Sequence, residues 1–166
     1  MNFLANAFTG HWGLMWAAFG AALVTFLSGT GSAIGVSKAG QAASGVVAEE
    51  PEKYASCLLL ELLPGSQGIY GLIIAFFILS NSGILAGQGA SIETWQGFAY
   101  FVASLPCAFG CFTSAVAQGK VAVSAIGIVA KRGDGFGNGM VLTLMVETYA
   151  LFSFLISILL VLNVAK

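Results

Sequence analysis

Four stretches of this 166-residue chain, near residues 12–37, 54–81, 95–130 and 139–163, are long, apolar and almost free of charge. Each has the roughly 20 apolar residues needed to cross the hydrocarbon of a bilayer, and the third runs on past it. Within lipid every backbone polar group must be satisfied inside its own segment or around a closed barrel. No alternation of apolar and polar residues supports a barrel, so the fold expected is an all-α membrane protein with four transmembrane helices. Composition agrees: 58% of residues are hydrophobic and only 8% charged, whereas about a quarter are charged in soluble domains. The net charge of −1 and the lack of a Lys/Arg run argue against nucleic-acid binding. The opening MNFLANAFTGHWG has no positive n-region, so the first apolar segment reads as a retained span rather than a cleaved leader. Cys57, Cys107 and Cys111 are odd in number, lack C-x-x-C spacing and sit in apolar context, which makes them small core residues rather than disulfide or zinc ligands.

Between the first and second spans lies EEPEK, and between the third and fourth KRGDGFGNG. Both are polar and rich in helix breakers and read as loops. Lys38, Lys53, Lys120, Lys131 and Arg132 flank these loops, whereas Lys166 belongs to the other face. The positive-inside rule then puts both loops in the cytoplasm and both termini outside, in a multi-pass protein of the cell membrane.

Displacing the chain against itself by 82 residues pairs Ser32-Ala33 with Ser114-Ala115, Lys38 with Lys120, Gly45 with Gly127 and Val47-Ala48 with Val129-Ala130. The halves, 1–83 and 84–166, read as copies of one helical hairpin. The same shift shows a shared stripe: Ala21, Thr25, Gly29, Ala33 and Ser37 match Ala103, Cys107, Cys111, Ala115 and Gly119. Small residues at every fourth position let helix backbones approach closely where lipid gives no hydrophobic drive. Ordinary packing in one four-helix bundle explains one such stripe. Its repetition in both halves suits a tightly curved inner wall made by many copies in a ring.

Among the acids, Glu147 stands alone inside MVLTLMVETYALFSFLISILL. A charge at the centre of a membrane helix costs on the order of 2.5–3.5 kcal/mol even on lenient scales, so such a residue is a functional candidate, the bland alternative being a protonated Glu bonded to a neighbouring helix. Its equivalent in the first half is Gly65, within Pro64-Gly65-Ser66-Gln67. Pro64 has no N–H to give the Leu60 carbonyl, and Gly65 and Gly68 loosen the helix around it. Freed carbonyls, the Ser66 hydroxyl and the Gln67 amide oxygen make an oxygen-lined notch of the kind that holds cations in broken membrane helices. A Pro kink serving only shape is the alternative. Gln118 is a third contributor: counted from the outer face, it and Glu147 differ in depth by about one turn, which two long side chains can span.

These motifs, LPGSQGIYG at 63–71, AQGK at 117–120 and VETYA at 146–150 in two tandem hairpins, closely resemble the proteolipid rotor-ring subunits (K subunits, c-type) of bacterial sodium-translocating V-type ATPases. The resemblance implies a homo-oligomeric ring that turns against a stator membrane subunit carrying a basic residue. It further implies contact with central-stalk subunits at the cytoplasmic loops, and ATP hydrolysis in a separate soluble head. It implies Na+ held by the Glu147 carboxylate, the Gln118 and Gln67 amide oxygens, the Leu63 carbonyl and the Ser66 hydroxyl, with Tyr70 donating to Glu147 and Pro64 shaping the turn. Ser66 stands where Thr is expected, which keeps the hydroxyl. Glu61 stands where a neutral polar residue is expected; it either reaches the cytoplasmic headgroups or forms a polar step towards the site. His11, Glu93 and Trp95 read as interfacial anchors without chemistry.

A proton-carrying ring needs only Glu147. A small multidrug or cation secondary transporter also uses one membrane Glu but needs no doubled stripe. An enzyme is disfavoured by the lack of a nucleophile–base pair, of a His within a span and of a phosphate loop.

Overall fold

The computed structural model describes residues 10–88 and 91–164. The leader reading at the first nine residues and the position of Lys166 lie outside the described residues. Helix α1 spans Trp12–Glu49. The second span is broken into α2, Tyr54–Leu62, and α3, Ser66–Asn81, with a 3₁₀ turn at Leu63–Gly65 between them. Helix α4 spans Thr94–Lys131, and α5 spans Phe136–Val164. All four spans are long and apolar enough to cross a membrane, and no strand occurs among the described residues.

The first difference from expectation is at the end of α1. The apolar segment stops near residue 37, but the helix continues to Glu49, giving 38 residues or roughly 57 Å, well beyond a hydrocarbon core of about 30 Å. Helix α4 has the same length. Lys38 and Lys120 therefore sit along these helices, not at their ends. The segments beyond them carry Gly, Ser and β-branched residues of modest helix propensity and are held by packing, with Ala39, Ala43, Ala122, Ala125, Ile126 and Val129 buried in one apolar cluster. The expected loops shrink accordingly. EEPEK becomes Glu50 and a 3₁₀ turn at Pro51–Lys53, and KRGDGFGNG becomes Arg132 and a turn at Gly133–Gly135 before α5 starts. Lys53 ties the two turns together, its Nζ donating to Glu50 Oε1 and to the Ala130 carbonyl, both at 2.7 Å. That carbonyl belongs to the last turn of α4, where backbone oxygens lack helical partners and favour a cation.

Helices α1 and α4 form the central pair, α2 and α3 pack on α1, α5 packs on α4, and α3 meets α5. The central contact is glycine-dependent: a Cβ on Gly119 would lie 2.5 Å from the Gly35 Cα, and one on Gly97 would collide with Gly13. The small-residue stripe behaves differently in the two halves. Ala103, Cys107, Cys111, Ala115 and Gly119 are buried against α1, whereas Ala33 and Ser37 are exposed and Thr25 and Gly29 half-buried. All three cysteines are free and fully buried, with Cys107 and Cys111 Sγ atoms 3.5 Å apart one turn from each other, as small core residues should be. At the other end Glu93 caps α4 through a capping box with Gln96, and the Trp95 indole donates to the Glu93 carboxylate. Trp95 is exposed, and His11 Nδ1 is buried without a partner among the described residues.

Candidate ion-binding site

The break in the second span falls where Pro64 removes a backbone donor. Its consequence is a new helix start at Ser66, whose first N–H groups have no intrahelical acceptors. One is satisfied from outside: Gly68 N–H donates to Ser32 Oγ on α1 at 2.8 Å, and Ser32 Oγ lies 3.4 Å from the Gly65 carbonyl. Ser32 is buried, so the interruption is held by a neighbouring helix rather than by water.

Around this break the polar side chains gather. Ser66 Oγ donates to the Leu63 carbonyl at 3.0 Å and lies 3.5 Å from Gln67 Oε1. The Gln67 amide donates to Gln118 Oε1, and Gln118 Nε2 donates to the Thr143 carbonyl at 3.1 Å. Both glutamines are fully buried. The one-turn difference in depth expected between Gln118 and Glu147 is met by this link, since Thr143 is one turn from Glu147 on α5. Further along α3, away from the Pro51–Lys53 turn, Tyr70 donates to Glu147 Oε1 at 2.6 Å, and both residues are half-buried. Leu63, Ser66, Gln67 and Gln118 thus form one continuous polar chain, and Glu147 with Tyr70 forms a pair that flanks it.

Ser32, Ser114 and Thr143 are the residues that pattern reading missed. Ser114 Oγ donates to the Val146 carbonyl at 3.0 Å, bracing the turn that carries Glu147, much as Ser32 braces the turn at Gly65. The pairing of Ser32 with Ser114 under the 82-residue shift singles out those two positions; Thr143, paired with Glu61, has no such signal. Along α1, Ser32 is six residues before Lys38 and twenty after Trp12, or about 9 and 30 Å by helical rise. The polar chain is therefore much nearer the level of the lysines than the opposite end.

Glu61 lies outside this cluster. Its carboxylate rests on α1 at Gly40, where a Cβ would be 2.7 Å from Oε1. Among the described residues no three His, Cys, Asp or Glu side chains gather as a metal cluster, so the oxygens around the break are neutral groups beside a single carboxylate.

Four apolar spans with the Glu147 carboxyl and a polar chain among them define a multi-pass membrane proteolipid. Residues 19–78 and 101–160 each match the ATP synthase C subunit family, and the chain belongs to that family. Its matching windows are themselves displaced by 82 residues. The chain is 44% identical to the V-type sodium ATPase subunit K of Enterococcus hirae over 93% of its own length and 96% of that protein. It is 35% identical to the A-type ATP synthase subunit K of Methanocaldococcus jannaschii over 92% of its length and 64% of that longer protein. With the 16 kDa proteolipid of the V-type proton ATPase of Nephrops norvegicus it shares 23% identity over 84% of the chain and 85% of that protein. The family is the ring-forming rotor proteolipid of rotary ATPases, so this chain is a non-catalytic membrane subunit that works as part of a ring.

Proposed function

We propose that this subunit carries Na+ through the membrane, one ion per copy, as its ring rotates. The observation that supports this most is the polar chain at the helix break. A proton carrier needs only a carboxyl in apolar surroundings, whereas a metal cation stripped of water needs several oxygens in place of its hydration shell. The Leu63 carbonyl, Ser66 hydroxyl, and Gln67 and Gln118 amide oxygens are such groups, and they are superfluous for a proton. One carboxylate, Glu147, matches one positive charge. Tyr70, held 2.6 Å from Glu147, fixes the carboxylate so that one oxygen faces the cation. The likeness to a sodium ATPase subunit supports the same choice.

The carriage step follows from electrostatics. The ion enters from one side along a path shared with a stator membrane subunit and neutralises Glu147. The neutral site then crosses the lipid-facing arc, and a basic stator residue displaces the ion. A bare carboxylate facing lipid would meet a penalty of about 2.5–3.5 kcal/mol, so occupancy gates rotation. Central-stalk subunits bind the turns at Pro51–Lys53 and Gly133–Gly135, which the Lys and Arg bias assigns to the cytoplasm of a cell-membrane protein with both termini outside. The two repeats divide in the connection between α3 and α4, near residues 83 and 84.

The test is carbodiimide labelling, which attacks protonated carboxyls. At fixed pH, labelling of Glu147 falls as sodium is raised, and potassium protects far less. Labelling that follows pH but ignores sodium makes the ring a proton carrier.

A further inference from the structure

The protomer leaves grooves open on each repeat, and the internal repeat indicates what fills them. One groove between α1 and α2 is lined by Gly40, Ala43, Val47, Cys57 and Glu61. Their counterparts 82 residues on, Ala122, Ala125, Val129, Gly139 and Thr143, are all buried inside the protomer. A second groove, beside α1 and α3, is lined by Ala18, Ala21, Ala22, Thr25 and Ala75. It maps onto Tyr100, Ala103, Ser104, Cys107 and Ser157, again buried. On the second repeat the groove between α4 and α5 is lined by Gly110, Thr113, Ala117, Val146 and Tyr149. Counted back 82 residues these are Ser28, Gly31, Gly35, Pro64 and Gln67, buried once more. Each repeat leaves open the face that its twin closes within the protomer. A second copy offering its second repeat to this first repeat reproduces the internal contact, in the head-to-tail manner that closes into rings.

The internal contact also sets the register. Gly35 against Gly119 becomes Ala117 of one copy against Ser37 of the next. At this copied contact the polar lengths are exchanged. Inside the protomer the long Gln118 side chain reaches the Thr143 backbone carbonyl, and the Thr143 side chain is short; in the first repeat their counterparts are a short Val36 and a long Glu61. Gly40 gives the Glu61 carboxyl room that Ala122 does not give in the second repeat. Gln67, which donates to Gln118, has as its counterpart Tyr149, exposed by 68% and longer than the amide it replaces. The other incoming side chains, Leu142 and Met145, are counterparts of Leu60 and Leu63, are exposed in the protomer, and have nothing to donate.

We propose that ring closure buries Glu61 of each copy against α5 of its neighbour, where the Tyr149 hydroxyl of that neighbour donates to the Glu61 carboxyl as a polar clasp between subunits. A carboxyl enclosed by Leu142 and Met145 needs such a donor, because a buried polar group without a partner is costly. The clasp gives a use to a carboxyl that the ion site leaves out. It depends on the ring but not on which ion the ring carries.

Two experiments test it on the assembled ring. With Ser37→Cys and Ala117→Cys together in one chain, mild oxidation yields a ladder of covalent multimers on a denaturing gel, while either change alone leaves monomers. An intact ring that gives no ladder overturns the register. For the clasp, ring half-life at a fixed temperature in detergent is compared for Tyr149→Phe, Glu61→Leu and the pair. Tyr149→Phe shortens it by about tenfold in the native background and has little further effect once Glu61 is Leu. Glu61→Gln, which keeps an acceptor and the shape, retains the dependence on Tyr149. Additive losses, or a ring indifferent to Tyr149→Phe, overturn the clasp even where the ladder forms.

Discussion

Removing the Ser66 hydroxyl separates ion coordination from helix shape. Ser66 Oγ sits 3.0 Å from the Leu63 carbonyl and 3.5 Å from Gln67 Oε1, in the first turn of α3. Ser66→Ala deletes that oxygen and leaves the break intact, since Pro64 still withholds its donor and Ser32 still caps Gly68. Alanine is also the better helix former, so the fold loses nothing by propensity. A hydroxyl turned to a cation is comparable to a hydrogen bond with a charged partner, worth about 1.5–3 kcal/mol. At about 1.4 kcal/mol per factor of ten, the sodium needed to half-protect Glu147 from carbodiimide rises by roughly 10- to 150-fold. The assay follows the labelling rate of purified rings against sodium at fixed pH, with ionic strength held by an organic cation. Ser66→Thr keeps the oxygen and stays near the native value. A half-protecting concentration that Ser66→Ala leaves unchanged refutes the claim that this hydroxyl faces the ion.

Glu147→Gln keeps the shape but cannot alternate between charged and neutral forms; it abolishes ion transport and coupled ATP hydrolysis in the assembled complex while rings still form on native gels. Gly119→Leu drives a side chain into the Gly35 backbone, only 2.5 Å from its first carbon, and such overpacking costs about 1–3 kcal/mol, read as a lowered thermal midpoint of the protomer. Ser32→Ala strands the Gly68 N–H at the helix break, a buried donor worth about 1–3 kcal/mol; hydrogen exchange accelerates locally at Gly68 while the middle of α4 is unaffected.

Four spans, the doubled hairpin, the small-residue stripe and the isolated Glu147 were legible in the chain because each depends on composition or local spacing. The broken second span was legible too, since a proline without an N–H interrupts a helix wherever it sits. The end of α1 was not: hydropathy reports where lipid stops, near residue 37, whereas α1 continues as helix past Lys38 to Glu49; α4, expected over about 95–130, spans Thr94–Lys131. The roles of Ser32, Ser114 and Thr143 were hidden for a related reason. Each meets a helix far away in sequence, Ser32 and Ser114 through their hydroxyls at Gly68 and Val146 and Thr143 through its backbone carbonyl at Gln118, and neither group has a spacing rule that names its distant partner.

The small-residue stripe shows where sequence ends and tertiary structure begins. Small residues at every fourth position establish that α1 and α4 each can approach another backbone closely. Which of the two stripes is used within the protomer was decided only by packing: Cys107, Cys111 and Ala115 are sealed, while Ala33 and Ser37 stay open. The polar chain from Leu63 to Gln118 was decided in the same way, because residues 51 positions apart share a hydrogen bond only after α3 and α4 dock. Sequence thus determined what each helix can do in lipid through its own atoms; docking of α1 against α4 decided which of those capacities meet.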